Sequence, residues 1–164
     1  MLSKFHSFIS FFKYSNLFLN TKGLDYNILN YLLSHKRHRF KDGKFFMSLG
    51  TPGGDMQTQG IIQTFLNIVV FGMNPQEAVN APRFRSLNWP DSFSPHTYYP
   101  GRIELEKEIY DKNAETLKAI AYEVHGREKW EYDFGAPCVS LRDPKTSKLF
   151  GGADPRKESW AEGE

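Results

Sequence analysis

Hydrophobic and polar positions fall into clear blocks from residue 44 onward. Lys44-Phe-Phe-Met-Ser-Leu-Gly50 is largely apolar and closed by glycine, which predicts a strand. After Thr51-Pro-Gly-Gly54 comes a long apolar segment, Ile61 to Val70, with residues 61, 65, 69 and 62, 66, 70 in helical rows. Gln57, Gln63, Thr64 and Asn67 leave only a narrow polar stripe, so this helix is expected to be mostly buried. Gly72 suits its C-terminal cap. Asn74-Pro-Gln-Glu77 then reads as a helix start, with Asn as N-cap, Pro in the first turn and Glu in the reciprocal capping position; the helix stops by Pro82.

Further on, residues 86–101 are rich in Pro and aromatics and read as an ordered loop. Arg102-Ile-Glu-Leu-Glu106 alternates as a half-buried strand, with Glu104, Glu106 and Glu108 expected on its solvated face. Asn113 to Val124 is expected to be an amphipathic helix turning Leu117, Ile120 and Val124 inward. Ala136–Leu141 and Leu149-Phe150 read as a hairpin around an Asp143-Pro-Lys-Thr turn, with Cys138 as a buried structural thiol.

Charge divides the chain. Residues 1–43 hold seven Lys or Arg against Asp25 and Asp42, a balance of +5, whereas residues 44–164 hold fourteen against seventeen, a balance of −3. The boundary is read at Lys41-Asp42-Gly43, giving a basic, aromatic-rich leader (1–43) and a better organised segment (44–164). Within the leader, Phe5–Leu19 lacks a small-residue cleavage site, which argues against a secretory signal. Tyr26–Leu33 has helical spacing, with Leu29, Leu32 and Leu33 on one side. The run His35-Lys-Arg-His-Arg39 could meet phosphate or a membrane surface, but a solvated, poorly ordered segment is the plainer expectation, and nucleic-acid binding is disfavoured. No apolar run is long enough to span a bilayer. One cysteine among 164 residues excludes an internal disulfide and a multi-cysteine zinc site. The five histidines (6, 35, 38, 96 and 125) show no metal-ligand spacing, so neither metal nor cofactor is implied.

One segment could carry chemistry. Gly50-Thr-Pro-Gly-Gly54 joins the expected strand to the expected helix, where a turn can aim backbone N–H groups at one point and the helix N-terminus adds partial positive charge. A developing oxyanion needs such a place. Gly54 is followed by Asp55-Met56 rather than Lys-Ser/Thr, which disfavours a nucleotide phosphate loop. Asp154-Pro-Arg156 is read as an ion pair holding the C-terminal turn.

The order of these motifs is more telling than any one of them. Gly50-Thr-Pro-Gly-Gly-Asp-Met-Gln-Thr-Gln59, followed by Phe65 through Met73-Asn-Pro-Gln-Glu-Ala-Val-Asn-Ala-Pro-Arg-Phe84, resembles the C-terminal part of the γ-glutamyltransferase family. Pro95-His-Thr-Tyr-Tyr-Pro-Gly-Arg-Ile-Glu-Leu-Glu106 is similar to its acylase-like branch, and Gly151-Gly-Ala-Asp-Pro-Arg156 to its terminal motif. The resemblance covers roughly residues 42–162.

That resemblance implies an α+β fold, the C-terminal portion of a four-layer αββα sandwich of the N-terminal-nucleophile hydrolase type. It implies an amidohydrolase or transferase that cleaves a γ-glutamyl amide through an acyl-threonine intermediate. Gly53 and Gly54 match the pair whose backbone N–H groups form the oxyanion hole, and Thr51 and Asp55 become substrate-binding candidates. The family's threonine lies upstream of the Gly-Gly turn in a context that Thr21-Lys-Gly-Leu-Asp-Tyr26 does not match. This chain taken alone is therefore expected to be inactive, and its partner to be a complementary large-subunit or nucleophile-bearing chain. Strands contributed by that partner would leave sheet edges and apolar faces uncovered here, which predicts an aggregation-prone chain. Ala121-Tyr122 stands where the family has Gly-His before a strand. The competing expectation is a non-catalytic fragment or pseudoenzyme acting as an interaction module.

Overall fold

The computed structural model describes residues 37–41 and 43–162, all within one compact unit spanning Leu32–Glu164. Elements expected at Phe5–Leu19 and Tyr26–Leu33, together with Thr21, His6 and His35, lie outside the described residues. In chain order the elements are β1 (Arg37–Lys41), β2 (Lys44–Gly50), α1 (Met56–Val69), α2 (Pro75–Asn80), β3 (Phe84–Ser86), β4 (Arg102–Glu106), α3 (Lys107–Ala119), β5 (Glu123–Arg127), β6 (Cys138–Arg142) and β7 (Leu149–Ala153). A 3-10 turn, Tyr132–Phe134, precedes β6.

Two sheets organise these elements. The first is antiparallel with strand order β1-β2-β6-β7, and the second has order β3-β4-β5. Because β1 pairs with β2 from Arg37↔Leu49 onward, the chain enters the first sheet ahead of the boundary read at Lys41–Gly43. Met47, Leu49 and Val139 of this sheet pack against Ile68 of α1 and Ala78 and Val79 of α2 in a buried cluster. Alternation along β6 puts Val139 into that cluster and Cys138 on the opposite, exposed side. The expected buried thiol is thus corrected: the period-2 rule assigns neighbours to different faces, and the helices cover only one.

In the second sheet β4 and β5 run parallel, and α3 makes the crossover between them. That helix starts at Lys107 and stops at Ala119, so it begins earlier and ends sooner than the periodicity predicted. Ala121, at φ +68°, turns the chain out of the helix, which leaves Ile120 exposed and puts Val124 in β5. The acidic face expected on β4 is also corrected. Glu104 and Glu106 are buried, each facing an arginine, and only Glu108, on α3, is exposed.

Helix α2 follows the expected capping box: Asn74 Oδ1 accepts from Glu77 N at 2.9 Å and Glu77 Oε2 accepts from Asn74 N at 2.9 Å. Helix α1 reverses an expectation. Its polar stripe turns inward, with Gln63 and Thr64 buried, while Val69 and Val70 are exposed and Ile62, Phe65 and Leu66 only half-buried. The reason lies in what the helix faces. Gln63 Nε2 donates to Phe84 O at 2.8 Å and its Oε1 accepts from Phe84 N at 3.1 Å. Gln59, one turn earlier, does the same for Ser86, at 3.0 and 2.7 Å. Side-chain amides on α1 thereby satisfy the outer edge of β3, joining the second sheet to the helix layer.

Candidate active-site loop

Loop 50–55 is held at both ends by ordinary secondary structure. Gly50 is the last residue of β2, opposite Cys138 of β6, and α1 begins at Met56. Between them Gly53 has φ +128° and Gly54 φ +54°, conformations that favour glycine. Gly53 O and Gly54 O accept from Met56 N and Gln57 N, both at 3.0 Å, forming the first turn of α1. Among the described residues nothing accepts from the Gly53 or Gly54 N–H, and both residues are exposed. Two consecutive amide donors thus stand open at the N-terminus of a 14-residue helix.

Contacts on both sides fix the turn. Thr51 Oγ1 accepts from Ala136 N at 2.8 Å and donates to Pro52 O at 2.7 Å. A β-carbon on Gly53 would stand 3.2 Å from Gly135 Cα, so that stretch backs the turn directly. On the other side Asp55, the N-cap residue of α1, makes no side-chain cap bond; its carboxylate accepts from Ser92 N at 2.7 Å and from Ser92 Oγ at 2.6 Å. The next residue, Phe93, places its ring edge 3.1 Å from where a β-carbon of Gly54 would lie.

Behind the Gly135 stretch lies a buried quartet of charges: Arg83, Glu106, Asp154 and Arg156. Arg83 bonds Asp154 and also donates to Phe134 O at 3.0 Å and Gly135 O at 3.4 Å. Arg156 pairs with Glu106 through Nε–Oε1 at 2.8 Å and with Asp154 Oδ1 at 3.1 Å. Burial, then the neighbouring Arg156, pushes the Arg83 guanidinium down to about 10, against the pull of Asp154 and Glu106. At neutral pH it is still a cation, so two positive and two negative groups balance. The structural role read for Asp154-Pro-Arg156 fits this arrangement, but its partners Arg83 and Glu106 were missed. Nothing in their local sequence signals a pairing across 50 or 71 residues.

All four site candidates therefore sit in one short turn: Gly53 and Gly54 open to solvent, Thr51 and Asp55 engaged with Ala136 and Ser92. Among the described residues no group of three or more His, Cys, Asp or Glu could hold a metal ion, and no helix is long and apolar enough to cross a membrane.

A family model for γ-glutamyltranspeptidase matches residues 37–163. The chain belongs to this family. A glutathione hydrolase proenzyme from Pseudomonas sp. (strain A14) is 32% identical over 126 residues, which cover 73% of this chain and 20% of that protein. Among solved structures, cephalosporin acylase from Bacillus halodurans matches with TM-score 0.60 and 28% identity, over 76% of this chain and 22% of the other. A variant of Helicobacter pylori γ-glutamyltranspeptidase matches with TM-score 0.57 and 26% identity, over 74% of this chain and 60% of that one. The chain thus has the α+β fold of these N-terminal-nucleophile hydrolases in part, and it covers 20% of the Pseudomonas glutathione hydrolase proenzyme and 17% of the one from Escherichia coli (strain K12).

Proposed function

We propose that this chain supplies the oxyanion loop of a γ-glutamyltransferase-like amidohydrolase whose nucleophilic threonine comes from a complementary segment. The observation that carries this reading is the pair of open amides at Gly53 and Gly54, on a turn braced by Ala136 and Ser92. In this mechanism the threonine hydroxyl attacks the γ-glutamyl amide carbon while the threonine α-amine takes its proton. The carbonyl oxygen becomes an anion and accepts from the Gly53 and Gly54 N–H groups. Collapse expels the amine, which recovers the proton, and leaves an acyl-threonine ester. Water or an acceptor amine then releases the acyl group. Thr51 and Asp55 position the two amides by holding the turn against Ala136 and Ser92. On α1, half-buried Ile62 and Leu66 and exposed Val69 and Val70 support a covering partner.

The test is hydrolysis of γ-glutamyl-p-nitroanilide by this chain combined with the threonine-bearing segment of a relative. Gly53→Val adds bulk against Gly135 at a φ of +128° and should lower kcat by about 10²–10³-fold. Equal activity in both would sink the oxyanion role.

A further inference from the structure

The loop that follows β3 offers a feature the oxyanion reading does not use. Phe93 is 67% exposed, yet its backbone is fixed on every side. Phe93 N donates to Asp91 Oδ1 at 2.8 Å, Phe93 O accepts from His96 N at 2.7 Å, and Asp91 N donates to Thr97 O at 2.9 Å. Its neighbour Ser92 is clasped by the Asp55 carboxylate through two bonds. Burial cannot account for this rigidity, because most of the ring stays in water. The clasp starts from the residue next to the glycine pair and brings the ring edge against Gly54.

We propose that Phe93 is a specificity-determining residue: clasped to the turn through Asp55 and Ser92, it forms an apolar wall beside the Gly53–Gly54 amides and favours acyl groups that are apolar over the first two carbons beyond the carbonyl, as the methylenes of a γ-glutamyl chain are. This rests on the oxyanion reading of the same turn. The ring edge lies 3.1 Å from where a β-carbon of Gly54 would stand, so an acyl group whose carbonyl oxygen the Gly54 N–H holds is expected to extend beside the ring. With the backbone already held, only the two side-chain torsions of Phe93 remain to be ordered when that group arrives, so contact area converts into affinity with small ordering cost. Aromatic contact at such a site corresponds to a preference of about fivefold.

Carboxylates, which stand in for the oxyanion, test the proposal on the whole chain without requiring catalysis. The Gly53 and Gly54 amide resonances are followed by NMR during titration with phenylacetate and, separately, with acetate at equal ionic strength. The expected result is that both ligands shift these two amides, with phenylacetate binding about fivefold more tightly. Phe93→Ala should bring the ratio of affinities to about one, Phe93→Trp should keep it, and Asp55→Ala should reduce it with the ring still present. If both ligands shift the amides but the ratio is the same in Phe93→Ala, the wall is disproved and the oxyanion reading stands. If neither ligand shifts the amides while the spectrum stays well dispersed, the oxyanion reading fails and takes this proposal with it.

Discussion

Gln63 and Phe84 are joined by two opposed hydrogen bonds, side-chain amide to backbone N–H and C=O, at 3.1 and 2.8 Å, in a buried setting. The side chain takes the place a neighbouring strand would occupy at the edge of β3. Gln63→Met keeps the length and most of the volume but offers neither donor nor acceptor. We expect a loss of about 1–3 kcal/mol, the range for buried polar groups deprived of a partner. Urea unfolding of the two proteins measures it. Gln59→Met, at a half-buried site, should cost less; an equal cost would mean that burial of the pair is not what matters.

Arg156 and Glu106 are both almost wholly inaccessible, at 0% and 1% exposure. Arg156→Ala or Glu106→Ala leaves its partner charged and buried, and each should cost about 3–5 kcal/mol. The double substitution should cost less than the two single costs combined, because neither charge is then left without the other. A thermal-unfolding cycle over the four proteins reads this coupling. Strict additivity would show that the two residues do not act as a pair.

Much of the fold was legible because its causes are local. The capping box at Asn74–Glu77 and strand β2 each announce themselves within seven residues. The Gly-Gly turn was legible for the same reason. The misreadings share a different cause. Glu104 and Glu106 look solvated in sequence because their arginines stand 19 and 50 residues away. Gln63 looks like part of a solvent stripe because β3, which needs its amide, is 21 residues downstream. The Asp55–Ser92 clasp spans 37 residues and leaves no periodic trace. Ile120 and Val124 stand four apart, as in a helix, but only the backbone at Ala121 says that the helix has ended.

Glu123 accepts from Arg102 Nε and Nη2 at 3.0 and 2.7 Å and meets His125 Nε2 at 2.7 Å. The Arg102 hydrogen bonds first, and His125 second, hold its carboxyl below the ordinary value of 4.5. A folded value below the unfolded one means that the pair's contribution is present above pH 4.5 and is lost as pH falls through the folded value. Carboxyl NMR titration should place the Glu123 midpoint below 4.5, and Arg102→Gln should move it upward. A midpoint unmoved by Arg102→Gln would assign the shift elsewhere.

Ala121 adopts φ +68° between α3 and β5. A β-carbon in the left-handed region costs roughly 1–2 kcal/mol, and glycine would remove that strain. Against this, glycine gives the unfolded chain more freedom, worth about 0.4–1 kcal/mol. The strain is the larger quantity, so Ala121→Gly should stabilise the fold by about 0.5–1 kcal/mol. Ala121 is exposed, so its methyl group contributes little packing to set against the gain. For a domain of this size the melting temperature should rise by about 1–4 °C. Ala121→Val is the opposite control, since a branched β-carbon is worse tolerated at positive φ. A fall in melting temperature for Ala121→Gly, or a rise for Ala121→Val, would show that this turn does not hold its left-handed geometry in solution.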